Sequence, residues 1–199
     1  MNINKEKIFL ILITVVVIVG GILYLFRDKN EKSFSLETPR QVVKDYKNIT
    51  YAINDRPVTL VNGYTEEEAA PGSTSKIVTE YFGNPVLHDF NGDGRQDIAF
   101  LITQKTGGSG TFFYVVAALD KEEGYLGSKN AYFLGDRIAP QSTSMAEGTD
   151  YENVIIVNYT DRLPEESFAA KPSVGKTAWL KFNPATLQLV IANQNAQEE

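Results

Sequence analysis

Cysteine is absent from the sequence, and His88 is the only histidine. A zinc site built from cysteine and histidine is therefore excluded, and so are disulfide bonds and a lipid-modified cysteine anchor. The chain also lacks an excess of basic residues, because 25 acidic residues outnumber 19 basic ones and the formal net charge is −6. An acidic chain has no electrostatic reason to bind nucleic acid, so we expect no such partner.

Internal repeats and helix-length apolar periodicity are missing from residue 49 onward. A propeller or a solenoid needs repeats, so neither architecture is expected. Short segments rich in Val, Ile, Tyr, Phe and Thr alternate instead with Gly, Asn, Asp and Pro. This pattern predicts an all-β domain, either a sandwich or a partly open barrel. The predicted strands lie near residues 49–53, 57–62, 75–83, 97–104, 111–119, 130–135, 138–146, 153–159, 175–182 and 187–191.

Two of these strands contain continuous apolar runs, IAFLI (98–102) and FFYVVAAL (112–119). A strand that is apolar at every position is buried on both faces, so we expect these two to be central. Asn54-Asp55 and Asn183-Pro184 supply turn residues between neighbouring strands.

One long apolar run precedes the β-rich region. Residues 8–26, IFLILITVVVIVGGILYLF, are 19 positions without a charge. A helix of this length spans ~28 Å, close to the thickness of a bilayer's hydrocarbon core. It is therefore predicted to be an uncleaved single-pass transmembrane helix. The alternative is a cleaved signal peptide, but its apolar region is shorter and ends at small residues rather than at Tyr24-Leu25-Phe26.

A short basic tail before such a helix usually stays in the cytoplasm, which places the β domain outside the cell membrane. Thr38 as N-cap and Pro39 at the first helical position predict a short helix near 39–46. The predicted order is a cytoplasmic tail (1–7), the transmembrane anchor (8–26), a linker (27–37), an extracytoplasmic β domain (38–192) and a polar tail (193–199).

The most informative motif is HDFNGDGRQDIAFL, residues 88–101, which contains an acidic loop at residues 89–97. Asp89, Asn91 and Asp93 can direct oxygen atoms inward if the backbone curls around an ion, and Asp97 can close the site. The carbonyl oxygen of Arg95 is a further predicted ligand, with its side chain directed outward. Calcium takes six to eight oxygen ligands from compact loops of this kind, so we predict one structural Ca²⁺ ion.

This loop resembles calcium loops of the EF-hand type but has Phe100 where an EF-hand has its bidentate glutamate. It is more similar to the FG-GAP repeat loop of integrin-type propellers, in which an aspartate at position nine closes the site. The alternative to a metal loop is a type I′ or II′ hairpin turn at Asn91-Gly92 or Asp93-Gly94.

Two glycine-containing segments are candidates for further sites. GGSG (107–110) separates the two apolar strands, and we interpret it as a flexible hairpin connection rather than a ligand-binding loop. SVGKT (173–177) lacks the upstream glycine of a phosphate-binding loop, because Ala170 stands there, and this function is rejected.

Two Asp-Arg pairs, Asp136-Arg137 and Asp161-Arg162, are predicted to be structural ion pairs. The alternative is a polar pocket that also contains Glu165. Adjacent residues of a strand point to opposite faces, so joint action of each pair does not follow from the sequence.

Taken together, DFNGDGRQDIAFLITQ, GGSGTFFYVVAAL and FLGDRIAPQS resemble an envelope protein family of bacteria, across roughly residues 85–182. Members of that family carry an anchor or secretion signal, the acidic loop, a GGSGTF segment and an LGDR segment. The resemblance implies a bacterial extracytoplasmic β domain and no particular chemistry. The matching positions outside the acidic loop are Gly107, Gly108, Gly110, Asp136 and Arg137.

Two functions follow as hypotheses. The first is a membrane-anchored, calcium-binding β domain with a binding or structural role in the cell envelope, where its partner is an envelope protein or a glycan. The alternative is an extracytoplasmic hydrolase, for which a glycan is a candidate substrate, with acids near Asp136, Asp161 and Glu165.

Overall fold

The computed structural model describes residues 44–148 and 151–192. These residues form β-strands and one short 3-10 helix, so the predicted all-β class is confirmed. The 3-10 helix is Tyr46–Asn48, and the strands are β1 (Thr50–Ile53), β2 (Arg56–Thr59), β3 (Tyr64–Glu68), β4 (Lys76–His88), β5 (Asp97–Lys105), β6 (Phe112–Lys121), β7 (Gly124–Gly127), β8 (Tyr132–Asp136), β9 (Ala139–Met145), β10 (Val154–Asp161), β11 (Val174–Asn183) and β12 (Gln188–Ile191).

The strands form three antiparallel sheets. β1 and β2 make a hairpin, and β9 to β12 make a four-stranded sheet in the order β12-β11-β10-β9. The third sheet has the order β3-β4-β5-β6-β7, and β8 also pairs with β6. The two ends of β6 therefore have different neighbours, because β8 pairs with its first half and β7 with its last residues.

One core lies between the six-stranded sheet and the four-stranded sheet. Alternate residues of β5 and β6, such as Leu101 and Val115, point into it. Ile155, Val157 and Leu180 of the four-stranded sheet meet them from the other side. All five side chains are inaccessible to solvent, so this contact buries one full face of the central strands.

A second core lies on the opposite face of the six-stranded sheet, beneath the hairpin. Phe100 is its centre, and the rings of Tyr46, Tyr51 and Tyr81 surround it with centroid distances of 5.2–5.5 Å. The Tyr51 hydroxyl donates to the Tyr46 carbonyl at 2.7 Å. Burial, followed by its interactions with Tyr81, raises the pKa of Tyr46 to about 12. These contacts hold the β1–β2 hairpin against the six-stranded sheet as a third layer.

The prediction that the two apolar segments are central strands is confirmed. β5 lies between β4 and β6, and its residues from Asp97 to Gln104 are all buried. Because side chains alternate between the faces of a strand, both cores draw on the same two strands. An uninterrupted apolar run is the sequence signature of this double burial.

Both predicted turns are also observed. Asn54 and Asp55 have φ of 50° and 61° and connect the directly paired Ile53 and Arg56, which is a two-residue turn of type I′. The Asn183 side chain accepts hydrogen bonds from the backbone N–H groups of Ala185 and Thr186 in the turn before β12.

The ten predicted strands correspond to observed strands, and the sequence misses β3 and β7. β3 reads YTEEE and is almost entirely exposed at the sheet edge, so it has no apolar alternation to detect. β7 has only four residues, two of them glycine. β4 continues to His88 instead of ending near 83, because the strand shifts register around Gly83 and resumes at Val86.

The predicted helix near 39–46 lies outside the described residues up to position 43, and its described end is wrong. Asp45 is extended, with φ of −138°, so residues 44–46 do not form the last turn of an α-helix. The Asp45 carboxylate instead accepts the N–H of Lys47 and begins the 3-10 helix.

The predicted cytoplasmic tail (1–7), transmembrane anchor (8–26), linker (27–37) and polar tail (193–199) also lie outside the described residues. Within residues 44–148 and 151–192, no helix is long and apolar enough to cross a membrane.

Close packing of the hairpin against β7 yields a stability prediction. A Cβ atom added at Gly127 would meet the Thr50 carbonyl oxygen and would lie 3.0 Å from the Tyr51 ring. We expect Gly127→Ala to lower the free energy of unfolding by about 1–3 kcal/mol, because both neighbours belong to a packed layer. Urea unfolding measures this loss. Gly175→Ala is the control, since no atom lies within 4 Å of the added Cβ there, and equal losses in the two variants would contradict the packing.

Candidate metal centre

The predicted metal loop joins β4 to the central strand β5. His88 pairs with Asp97 across its base, so residues 89–96 form the connection and a two-residue hairpin turn is excluded. Gly92 and Gly94 have φ of 71° and 82°, a conformation that glycine adopts without strain. These two glycines allow the backbone to curl around the side chains between them.

The side chains of Asp89, Asn91 and Asp93 converge inside this curl. The Oδ1 atoms of Asp89 and Asn91 accept hydrogen bonds from the same donor, the Asp93 N–H, at 3.1 and 3.0 Å. Asn91 Nδ2 donates to Asp93 Oδ2 at 2.8 Å. The other oxygen of Asp89 accepts the Gly94 N–H at 2.7 Å. The structure therefore brings the first three predicted ligands together.

Asp97 has a different environment, in the protein interior. Its two carboxylate oxygens accept the backbone N–H groups of Phe90 at 2.9 Å and Asp120 at 2.7 Å. The residue is completely buried, and this burial, together with the charges of Asp93 and Asp89, raises the pKa of Asp97 although the two N–H donors act to lower it. Asp97 thus joins the loop, the start of β5 and the end of β6.

The Arg95 side chain crosses the loop instead of pointing outward, so that part of the prediction is wrong. Its Nε donates to the Asp120 carbonyl at 2.8 Å, and its guanidinium forms an ion pair with Asp93. Lys121 Nζ lies 3.8 Å from the same Asp93 oxygen. Two cations of the chain therefore partly neutralise the third predicted ligand.

The loop carboxylates remain ionised at neutral pH. The Gly94 N–H, helped by neighbouring backbone N–H groups, holds the pKa of Asp89 below its usual range. Desolvation acts to raise the pKa of Asp93, but the Arg95 N–H, the Asn91 amide and the charges of Arg95 and Lys121 lower it overall. Negative charge is therefore concentrated where the three side chains converge.

Within the two described ranges, no group of three or more His, Cys, Asp and Glu side chains has an arrangement that could hold a metal ion. At the acidic loop, one of the three converging side chains is Asn91, which is not one of these four residue types. Asp97 directs its oxygens to backbone N–H groups.

Sequence reasoning misses Asn153, which braces the loop from the other sheet. Its amide donates to the Phe90 carbonyl at 2.8 Å, and its Oδ1 lies 3.2 Å from His88 Nε2. Asn153 has a φ of 60° and stands just before β10. An Asn-Val sequence before an apolar strand is typical of many turns, so nothing in the sequence links it to a loop some 60 residues earlier.

The two Asp-Arg pairs come close together in the described chain. Asp136 forms an ion pair with Arg137 at 2.8 Å, and Asp161 forms one with Lys176 at 2.7 Å. Arg162 donates to the Arg137 carbonyl at 2.9 Å and therefore links the two segments. The predicted Asp136-Arg137 ion pair is therefore present, whereas the predicted Asp161-Arg162 pair is wrong, because Asp161 pairs with Lys176. Each carboxylate has a cation as partner, so the geometry favours the structural role.

The other residues and segments considered as candidate sites lie in connections between strands or within a strand. Glu165 is exposed in the connection between β10 and β11, GGSG (107–110) connects β5 to β6, and residues 174–177 of SVGKT lie in β11. The hydrolase alternative therefore draws no specific support from these residues.

Comparisons of the chain with protein-family models, with curated proteins and with solved structures find no significant match. The resemblance to bacterial envelope proteins stays a prediction from the sequence.

The buried Asp97 yields a prediction that needs no metal. Asp97→Ala leaves two N–H groups without acceptors, each at a cost of about 1–3 kcal/mol, so we expect about 2–6 kcal/mol less unfolding free energy. Urea unfolding in the presence of a chelator measures this change. Asp93→Ala is the matched control in the same loop, where a solvent-facing carboxylate is lost. A smaller effect of Asp97→Ala than of Asp93→Ala would contradict the assigned role.

Proposed function

We propose that residues 89–97 bind one calcium ion and that the chain is a membrane-anchored, extracytoplasmic β domain of the cell envelope. The observation that supports the ion is the convergence of three side chains: Asp89 and Asn91 both accept the Asp93 N–H, and the Asp93 carboxylate accepts the Asn91 amide. Oxygen atoms that share one donor at about 3 Å already lie near the spacing at which they could share one cation.

The donor set fits calcium better than other metals. It consists of carboxylate and amide oxygens, with the Arg95 carbonyl as a further predicted ligand. Hard oxygen ligands select calcium or magnesium over zinc and copper. Magnesium prefers to keep several waters and demands a strict octahedron. A loop rich in protein oxygens therefore suits the larger ion.

The ion would act as a structural element. The loop leads directly into β5, and Asp97 attaches it to the end of β6. Calcium bound there would hold the entrance of the central strand and replace the Asp93 ion pairs with Arg95 and Lys121. We assign the domain a binding or scaffolding task in the envelope, with an envelope protein or a glycan as its partner.

Calorimetric titration with CaCl₂ tests the metal. We expect one ion per chain and an increase in unfolding temperature, because a ligand that binds only the folded state stabilises it. Asp93→Ala removes a predicted ligand and should weaken binding at least about 10-fold. Arg95→Gln removes the competing guanidinium and should strengthen binding.

The control is Asp120→Asn, which changes a nearby carboxylate that the proposal does not use as a ligand. If calcium neither binds nor raises the unfolding temperature of the parent chain, the calcium proposal fails. If Asp93→Ala and Asp120→Asn weaken binding equally, the loss reflects general charge, and the ligand assignment fails.

Anchoring by residues 8–26 is tested by cell fractionation of the full-length chain. We expect the chain to stay in the membrane fraction after washing with high salt or carbonate and to enter solution with detergent. Protease added to intact spheroplasts should degrade the β domain if it lies outside. A chain that a detergent-free extract releases, or that protease reaches only after lysis, would contradict the proposed topology.

A further inference from the structure

A cavity of about 240 Å³ lies between the tip of the β1–β2 hairpin and the six-stranded sheet. It lies at the far end of β5 from the acidic loop. The hairpin contributes Asn54 and Arg56, and the sheet contributes Glu67, Thr79 and Gln104. The volume is below the roughly 300–1,000 Å³ of sites for drug-sized ligands, so an occupant would be a smaller molecule.

Polar residues line the base of this cavity, although it lies on the same face of the sheet as the apolar second core. Ile98, Phe100 and Ile102 lie under the hairpin, and the next residue of β5 on the same face is Gln104. Gln104 is 8% exposed, and its cross-strand neighbour Thr79 is 1% exposed. Burial of such polar groups is unfavourable unless they form hydrogen bonds.

Gln104 has hydrogen-bonding capacity left over. Its Nε2 donates to Thr79 Oγ1 at 3.3 Å, a long bond. No donor among the described residues bonds to its Oε1. Gln104 Oε1 is not among the fully buried unpaired atoms, so solvent reaches it, and a polar ligand in the cavity could take the place of that water.

Two residues of opposite charge, both solvent-exposed, line the same cavity. Arg56 belongs to the hairpin and Glu67 to β3, and both line the space. Neither forms a salt bridge within the described part of the chain, where the recorded pairs involve other residues. One cation and one anion that remain apart match a small molecule carrying both charges. They disfavour a phosphate or a polyamine, each of which carries charge of a single sign.

We propose that this cavity binds a free α-amino acid. The Arg56 guanidinium pairs with the carboxylate, since its planar fork bonds carboxylates in a bidentate manner. Glu67 pairs with the ammonium group, and Gln104 Oε1 accepts one of its hydrogens. The apolar lining formed by Ile53, Val58 and Ile77 contacts the aliphatic part of the ligand. This assignment does not depend on the calcium loop.

Saturation-transfer NMR with the full-length chain in detergent, against each standard free amino acid in turn, tests the proposal. The best binder is then titrated by calorimetry beside its N-acetyl amide, which has the same side chain and neither charge. We expect one site per chain, and weakening of at least about 10-fold for the capped analogue, for Arg56→Gln and for Glu67→Gln.

Glu66→Gln is the matched control, because Glu66 is the same residue type on the opposite face of β3. Its affinity should stay within about 2-fold of the parent chain. Thermal unfolding followed by circular dichroism verifies that each variant is folded, and Arg56→Lys, which keeps the charge but loses the fork, should give an intermediate affinity. The proposal is overturned if no amino acid binds, in which case the cavity holds water only. It is also overturned if the capped analogue binds as well as the free form, or if Glu66→Gln weakens binding as much as Glu67→Gln.

Discussion

The pairing of β5 with β6 is the interaction on which the rest of this domain depends. The two strands are hydrogen-bonded from Ile98↔Ala118 to Gln104↔Phe112, and both of their faces are buried. The four-stranded sheet packs on one face and the hairpin on the other. Both cores include residues of this pair, so its loss would disrupt both cores at once.

The central pair also determines where polar chemistry can occur. A strand that is apolar through its middle leaves only its ends for charged or hydrogen-bonding side chains. At the first end of β5, the buried Asp97 carboxylate joins the acidic loop to the end of β6. At the other end, Gln104 forms the polar floor of the cavity beneath the hairpin. The two candidate sites therefore share one strand but are separated by a run of buried apolar residues, which favours independent action.

The sequence predicts best what depends on local residue chemistry. The apolar runs at 98–102 and 112–119 specify the central strands, and Asn54-Asp55 specifies a turn, because burial and φ preference act residue by residue. The edge strand β3 carries no such signal, since its sequence, YTEEE, has no alternation of apolar and polar residues. The loop positions of Asp89, Asn91 and Asp93 follow from their spacing. The burial of Asp97 and the contacts of the Arg95 side chain do not follow from the spacing. Both depend on Asp120, which lies beside these residues because β5 pairs with β6.

The ion pair between Arg95 and Asp93 bears on how the loop could act as a calcium site. The loop is already folded by its own hydrogen bonds, since Asp89 and Asn91 accept backbone N–H groups and Asn153 holds the Phe90 carbonyl. Binding would therefore not include the entropic cost of ordering the loop, which favours affinity. It would include the cost of breaking the Asp93–Arg95 ion pair, which opposes affinity. The pair is solvent-exposed, and such pairs contribute only about 0–1 kcal/mol. A divalent ion at a site with two ionised carboxylates gains more than that, so the competition should reduce calcium affinity without abolishing it.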